Sequence, residues 1–302
     1  MRKLFFVLAA FALIACGEDQ SGSKLKEITA DLDSILEEER IVSQRTLKEL
    51  KNASKVVYTL PSPVEMADIL HKTKAVYDVA ILNDPNNISN YVTDYKRALN
   101  LGVYFADLSF TSMFDYPQEA MKFMGAAQAM SDELNIQGVY TEEVMMRLED
   151  NLSNKDSLID IVASTYMDTD MYLQDNERPI IAKSILAGAW LEGLYVAVNL
   201  KTQPPKGSDV WSKIGEQKPA INNLKNMLSD CNDPQFDSLV SELDELVILF
   251  EGINIDVPNK RKSMDEESNK KGVMAIPRVE VSEDLFKKIQ AKTIEVRNGI
   301  IQ

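Results

Sequence analysis

Residues 177–200 read ERPIIAKSILAGAWLEGLYVAVNL, and this stretch decides the fold. After Arg178 its only charged residues are Lys183 and Glu192, and apolar or small residues cover every face of a 3.6-residue repeat. An apolar run of this length either crosses a membrane or is a helix enclosed by other helices. Lys183 and Glu192 argue against the first, because each would be costly in lipid. A core helix needs neighbours to enclose it, and the chain supplies them. Ser62 and Glu65 form a capping box with Pro63 at the first helical position, opening a helix expected over 63–82. That helix would bury Met66, Ile69, Leu70, Val76, Tyr77, Ala80 and Ile81. Further helices are expected over 88–114, 117–134, 140–152, 153–175, 208–228 with a kink at Pro219, and 234–253. No segment alternates with period two for long. The fold class is all-α, an antiparallel helical bundle or an array of helical hairpins.

A second stretch resembles the first. At a constant offset Leu101 meets Leu186, Phe105 meets Trp190, Asp107 meets Glu192 and Phe110 meets Tyr195. Each lies on the most apolar helix of its half, after a helix and an Asn/Asp-rich turn. This suggests two pseudo-repeated halves; the alternative is chance likeness between apolar helices.

The N-terminus carries a different kind of signal. Arg2 and Lys3 precede an unbroken apolar run from Leu4 to Ala15, and Cys16 follows. This is the layout of a secretory signal segment over 1–15. Leu13-Ile14-Ala15-Cys16 resembles the lipobox of bacterial lipoproteins. The resemblance implies that the Cys16 thiol takes a diacylglycerol group and becomes the new N-terminus after cleavage. Residues 16–23 would then be a polar tether. Gly17 stands where an Asp resembles the inner-membrane retention signal of some Gram-negative lipoproteins, and Glu18-Asp19 resembles the acidic export signal of some surface lipoproteins. The implied place is the cell envelope, at the outer membrane, with the membrane held through lipid on Cys16. An ordinary secreted chain with a cysteine at the cleavage point is the alternative.

The rest of the chain organises around a helical domain over 24–254, a polar linker over 255–281, mobile over 256–272 and extended over 273–281, and a last amphipathic helix over 282–302 capped by Ser282. Residues 24–52 open the domain with apolar residues at helical spacing. The 302 residues carry a formal charge of −14, and loss of Arg2 and Lys3 with the leader deepens it. Such a balance disfavours nucleic acid and anionic lipid as partners. With Cys16 occupied, Cys231 has no thiol to pair with, and its flanking Asp230 and Asp233 make it an inert structural cysteine. His71 shares a flank with Lys74 and Asp78 and should face solvent. Asp230-Cys231-Asn232 begins like a calcium loop, but Pro234 and Gln235 break the pattern, and Asp168 and Asp170 sit mid-helix. No glycine-rich phosphate loop is present, and no cofactor is expected.

The candidate site is the acid pair Asp107 and Glu192. Each lies inside a nearly all-apolar helix, where an unpartnered carboxylate is expensive. Tyr104 and Phe105 stand beside one, Trp190 and Tyr195 beside the other. Two carboxylates in an aromatic-lined cleft would suit a cationic or hydroxyl-bearing ligand. The competing expectation is that each acid meets a Lys, an Arg or a backbone group. Two functions follow: a non-catalytic helical binding or scaffold module, with an envelope protein or small molecule as partner, or an envelope enzyme using Asp107 and Glu192 as an acid-base pair. Divergent or surface-lying carboxylates would remove the second.

Overall fold

The computed structural model describes residues 60–73, 76–136, 138–139, 141–151, 154–200, 209–256 and 278–302. The expected leader, Cys16 with the lipid expected on it, the expected tether, the expected helix over 24–52 and the middle of the expected linker lie outside these residues. The described residues contain ten α-helices, three short 3₁₀ helices and one two-stranded sheet, an all-α helical bundle.

Helix α1 (Pro63–Lys72) opens on the expected capping box: Glu65 N–H donates to Ser62 Oγ at 3.2 Å, and Ser62 N–H to Glu65 Oε2 at 2.7 Å. It ends ten residues earlier than the apolar spacing suggested, since helix 63–82 gives way at Lys72. The Thr73 hydroxyl turns back onto Leu70 O at 2.6 Å. Asp78 then caps a 3₁₀ turn at Val79–Ile81, and Asp84 caps another at Pro85–Asn90. Short acidic side chains bonding to nearby N–H groups compete with helix continuation, and here they win. Val76, Val79 and Ala80 consequently face solvent instead of the core.

Helix α2 (Asp94–Met113) starts at the Thr93 cap and is buried from Ala98 to its end. It is followed by α3 (Pro117–Glu133), α4 (Glu142–Asp150), α5 (Lys155–Asp175) and α6 (Pro179–Asn199). The expected helix 208–228 is broken into α7 (Asp209–Gly215) and α8 (Lys218–Ser229), with Pro219 in the first turn of the second piece. A Cβ on Gly215 would collide with Val279 Cγ1, so the break lets strand β2 lie against the backbone. After α9 (Asp237–Glu251), strand β1 (Asn254–Asp256) pairs antiparallel with β2 (Arg278–Glu280), Ile255 opposite Val279. Strand β2 falls within the stretch 273–281 expected to be extended, while β1 at the start of the linker was not expected. Helix α10 (Glu283–Ile301) closes the bundle from the Ser282 cap.

The centre of the molecule is the α2–α6 contact. A Cβ on Gly102 would fall on the carbonyl of Ile185, and one on Gly188 on the carbonyl of Leu99. The two backbones therefore touch in their first halves, while Ala106 and Phe110 share a small pocket with Gly193 and Val196 in their second halves. Positions advance together along both, so the central pair runs in the same direction. Helices α5 and α6, joined by a tight turn, run antiparallel. The residues matched at constant offset thus sit level with one another on two parallel helices. Helix α6 is the one helix among the described residues long and apolar enough to cross a membrane, and most of it is enclosed by α2, α5 and α10.

Candidate functional site

Asp107 on α2 and Glu192 on α6 converge, and both are 0% exposed. Helix α10 brings Arg297 to them, itself 6% exposed. Its Nε donates to Glu192 Oε2 at 2.9 Å and its Nη2 to Glu192 Oε1 at 3.0 Å, a two-pronged ion pair. Nη2 also points at Ile81 O, 3.5 Å away, and the guanidinium carbon lies 4.3 Å from the centre of the Tyr195 ring. The irregular stretch after α1 supplies the fourth side. Asn83 N–H donates to Asp107 Oδ2 at 3.1 Å, and the buried Asn83 amide holds Tyr91 Oη at 3.0 Å. The helix end at Lys72 and the Asp78 and Asp84 caps are what bring Asn83 here.

The two acids do not carry equal charge. Burial first, then the neighbouring Glu192, push the Asp107 carboxyl well above the usual aspartate range; Arg297 and Asn83 N–H pull only partly back. Burial raises Glu192 as well, while Arg297 and a hydrogen bond from Asp107 pull it down. Glu192 beside it raises Asp107 further, whereas Arg297 holds Glu192 down, so of the two acids Asp107 is the one that burial favours in its neutral form. Asp107 Oδ1 is buried and has no hydrogen-bond partner, a setting that disfavours the charged carboxylate. Burial works against the Arg297 charge, and Glu192 more than offsets it, so the guanidinium is held protonated. With one proton on Asp107 the triad is neutral, the state a dry interior favours.

The aromatic residues expected to wall a cleft are placed differently. Tyr104 and Phe105 are fully buried and Trp190 nearly so. Tyr104 Oη donates to Asp84 O at 3.1 Å, Phe105 meets Tyr166 edge to face, and the Trp190 indole N–H has no partner. These rings fill the core. Tyr195, half-buried, alone touches the triad, through Arg297. The pocket beside α2 and α6, lined by Met66, Leu70, Phe110 and Val196 among others, is apolar and holds about one water-sized group.

Arg297, Asn83 and Tyr91 escaped sequence reasoning. Arg297 left a trace: Ile289, Thr293, Val296 and Ile300 recur at helical spacing, and position 297 falls on that same inward face. Asn83 left none beyond its place in an Asn/Asp-rich turn. Elsewhere, His71 is exposed, as expected, with its ring edge-on to Phe114. Cys231 is half-buried, its Sγ 3.1 Å from Lys183 Nζ and 3.3 Å from Met227 O, so a cation from α6 joins the acidic neighbours read from the sequence. Among the described residues no three acids, histidines or cysteines converge as an ion site. The chain matches no model of a known protein family, no curated protein and no solved structure.

Proposed function

We propose that the chain is a lipid-anchored protein of the cell envelope, held at the outer membrane through Cys16, whose helical body acts as a non-catalytic binding or scaffold module. The observation that carries the anchor is Leu13-Ile14-Ala15-Cys16 at the end of a charged and then apolar leader. The non-catalytic reading is supported by the acid pair. A general acid or base must come within hydrogen-bond reach of its substrate. Both carboxyls are wholly enclosed, and Glu192 is locked to Arg297. The anchor is tested with Cys16→Ser: labelled fatty acid enters the wild type and not the variant, and the variant remains an uncleaved precursor. Absence of label from the wild type, with fractionation as a soluble protein, overturns the proposal.

One observation keeps the enzyme alternative specific. The carboxyls converge, and burial with the neighbouring acid pushes Asp107 well above the usual aspartate range, as in an acid-base pair. In that reading a substrate reaches them only when an element covering them moves aside. Turnover of any ester, amide or glycoside that disappears in both Asp107→Asn and Glu192→Gln, with folding retained, would decide for it.

A further inference from the structure

Helix α10 is seated in an unusual way for a piece of core. Its inward face carries Ile289, Val296 and Ile300, and also two buried cations, Lys292 and Arg297. Lys292 reaches Glu245 on α9 at 2.9 Å, and Arg297 reaches Glu192 on α6. The helix end is held by polar ties: Asn100 Nδ2 donates to Ile300 O at 3.0 Å and Lys96 Nζ to Gln302 O at 2.5 Å. Apolar anchors around a desolvated arginine in a pre-built pocket are the anatomy of a recognition interface. The pocket is built without α10. Glu192 and Tyr195 belong to α6, Asp107 to α2, and Asn83 with Ile81 O to the stretch after α1. Between β2 and α10 stand only Val281 and Ser282, a pivot about which the helix can swing while the strands stay paired.

We propose that α10 is a tethered ligand: the groove it occupies is a binding site for an arginine-bearing amphipathic helix, kept closed by the chain's own Arg297. Withdrawal of α10 bares two carboxyls beside a tyrosine ring at the floor of an apolar groove. A guanidinium satisfies that floor, because it bridges both oxygens of Glu192 and stacks on Tyr195 together; an ammonium cannot do both. The charge of −14 on the whole chain favours approach of a basic helix. The occupant is therefore a partner helix with one arginine and aliphatic residues about two turns before it and one turn after it on the same face, as Ile289 and Ile300 flank Arg297.

This names a ligand class for the binding module and rests on the groove alone, so its outcome is independent of whether Cys16 is lipidated. The test uses the full chain with a protease site placed within 257–277. After cleavage, a fluorescent peptide of residues 278–302 is added in excess. The labelled peptide should replace the chain's own segment, and the same peptide with Arg297→Lys should bind about tenfold more weakly or worse. Failure to exchange while the cleaved protein keeps its helical far-UV signal overturns the proposal, as does equal binding of the lysine peptide. Should cleavage unfold the protein, hydrogen exchange on the intact chain decides. Amides of α10 that open together before those of α2 and α6 support a tethered ligand. Amides of α10 that exchange only with those of α2 and α6 contradict it.

Discussion

Asp107 and Glu192 carry the same group and are pushed upward by burial to different extents, and the difference lies in what each meets. Glu192 meets a guanidinium; Asp107 meets one backbone N–H and the other acid. Because burial raises the Asp107 carboxyl above its unfolded value, the folded state binds a proton that the unfolded state releases. That contribution is fully present below the ordinary aspartate value of about 4 and is lost as pH rises toward the folded value. Asp107→Asn cannot ionise and still donates toward Glu192. Its melting temperature should therefore gain on the wild type as pH climbs from about 4 to 8; parallel curves would show that Asp107 titrates normally. Arg297 acts in the other direction. Arg297→Met strands Glu192 as an unpaired buried charge and should cost about 3–5 kcal/mol in chemical denaturation. Adding Glu192→Gln should restore a large part of that loss. A double variant no more stable than the single would place the Arg297 contribution in its packing instead. Both acids were legible in the sequence because a charge inside an all-apolar helix is conspicuous. Their partner was less so, since Arg297 is distant in sequence and looks like one basic residue among several in α10.

At the level of elements, glycine decides where the two central helices meet. Gly102 and Gly188 each lie against backbone of the facing helix with no space for a methyl group. Backbone cannot give way as a flexible side chain can, so Gly188→Ala should destabilise by about 3 kcal/mol or more. Gly125, with nothing near its Cβ position, is the control, and Gly125→Ala should be neutral or mildly stabilising. Equal effects at both sites would contradict the close approach. Helix existence followed from apolar periodicity nearly everywhere, and helix ends did not. The 63–82 helix stops at Lys72 because Thr73, Asp78 and Asp84 bond to local backbone, a competition that periodicity does not register. The shared direction of α2 and α6 was hidden as well. Short turns make neighbours in sequence antiparallel, but α2 and α6 are separated by three helices, and only their packing sets their sense.

In the whole molecule the described residues form an enclosed helical body, and the proposed leader lies outside them. The body is stabilised by packing and by one neutralised acid pair. Among the described residues the one cysteine is free, so no disulfide braces it. All-α character was readable because a helix as apolar as α6 must be enclosed, and the amphipathic helices around it are long enough to do so. What the groove under α10 recognises was not readable, because the groove exists only once α2, α6, α9 and the stretch around Asn83 come together. The functional claim that governs the rest is attachment through Cys16. Its most direct measurement is mass spectrometry of the N-terminal peptide from protein purified out of detergent-solubilised envelopes. The expected result is a chain that begins at Cys16 and carries diacylglycerol on the thiol; a chain that begins elsewhere, with the Cys16 thiol absent or unmodified, would contradict the proposed attachment.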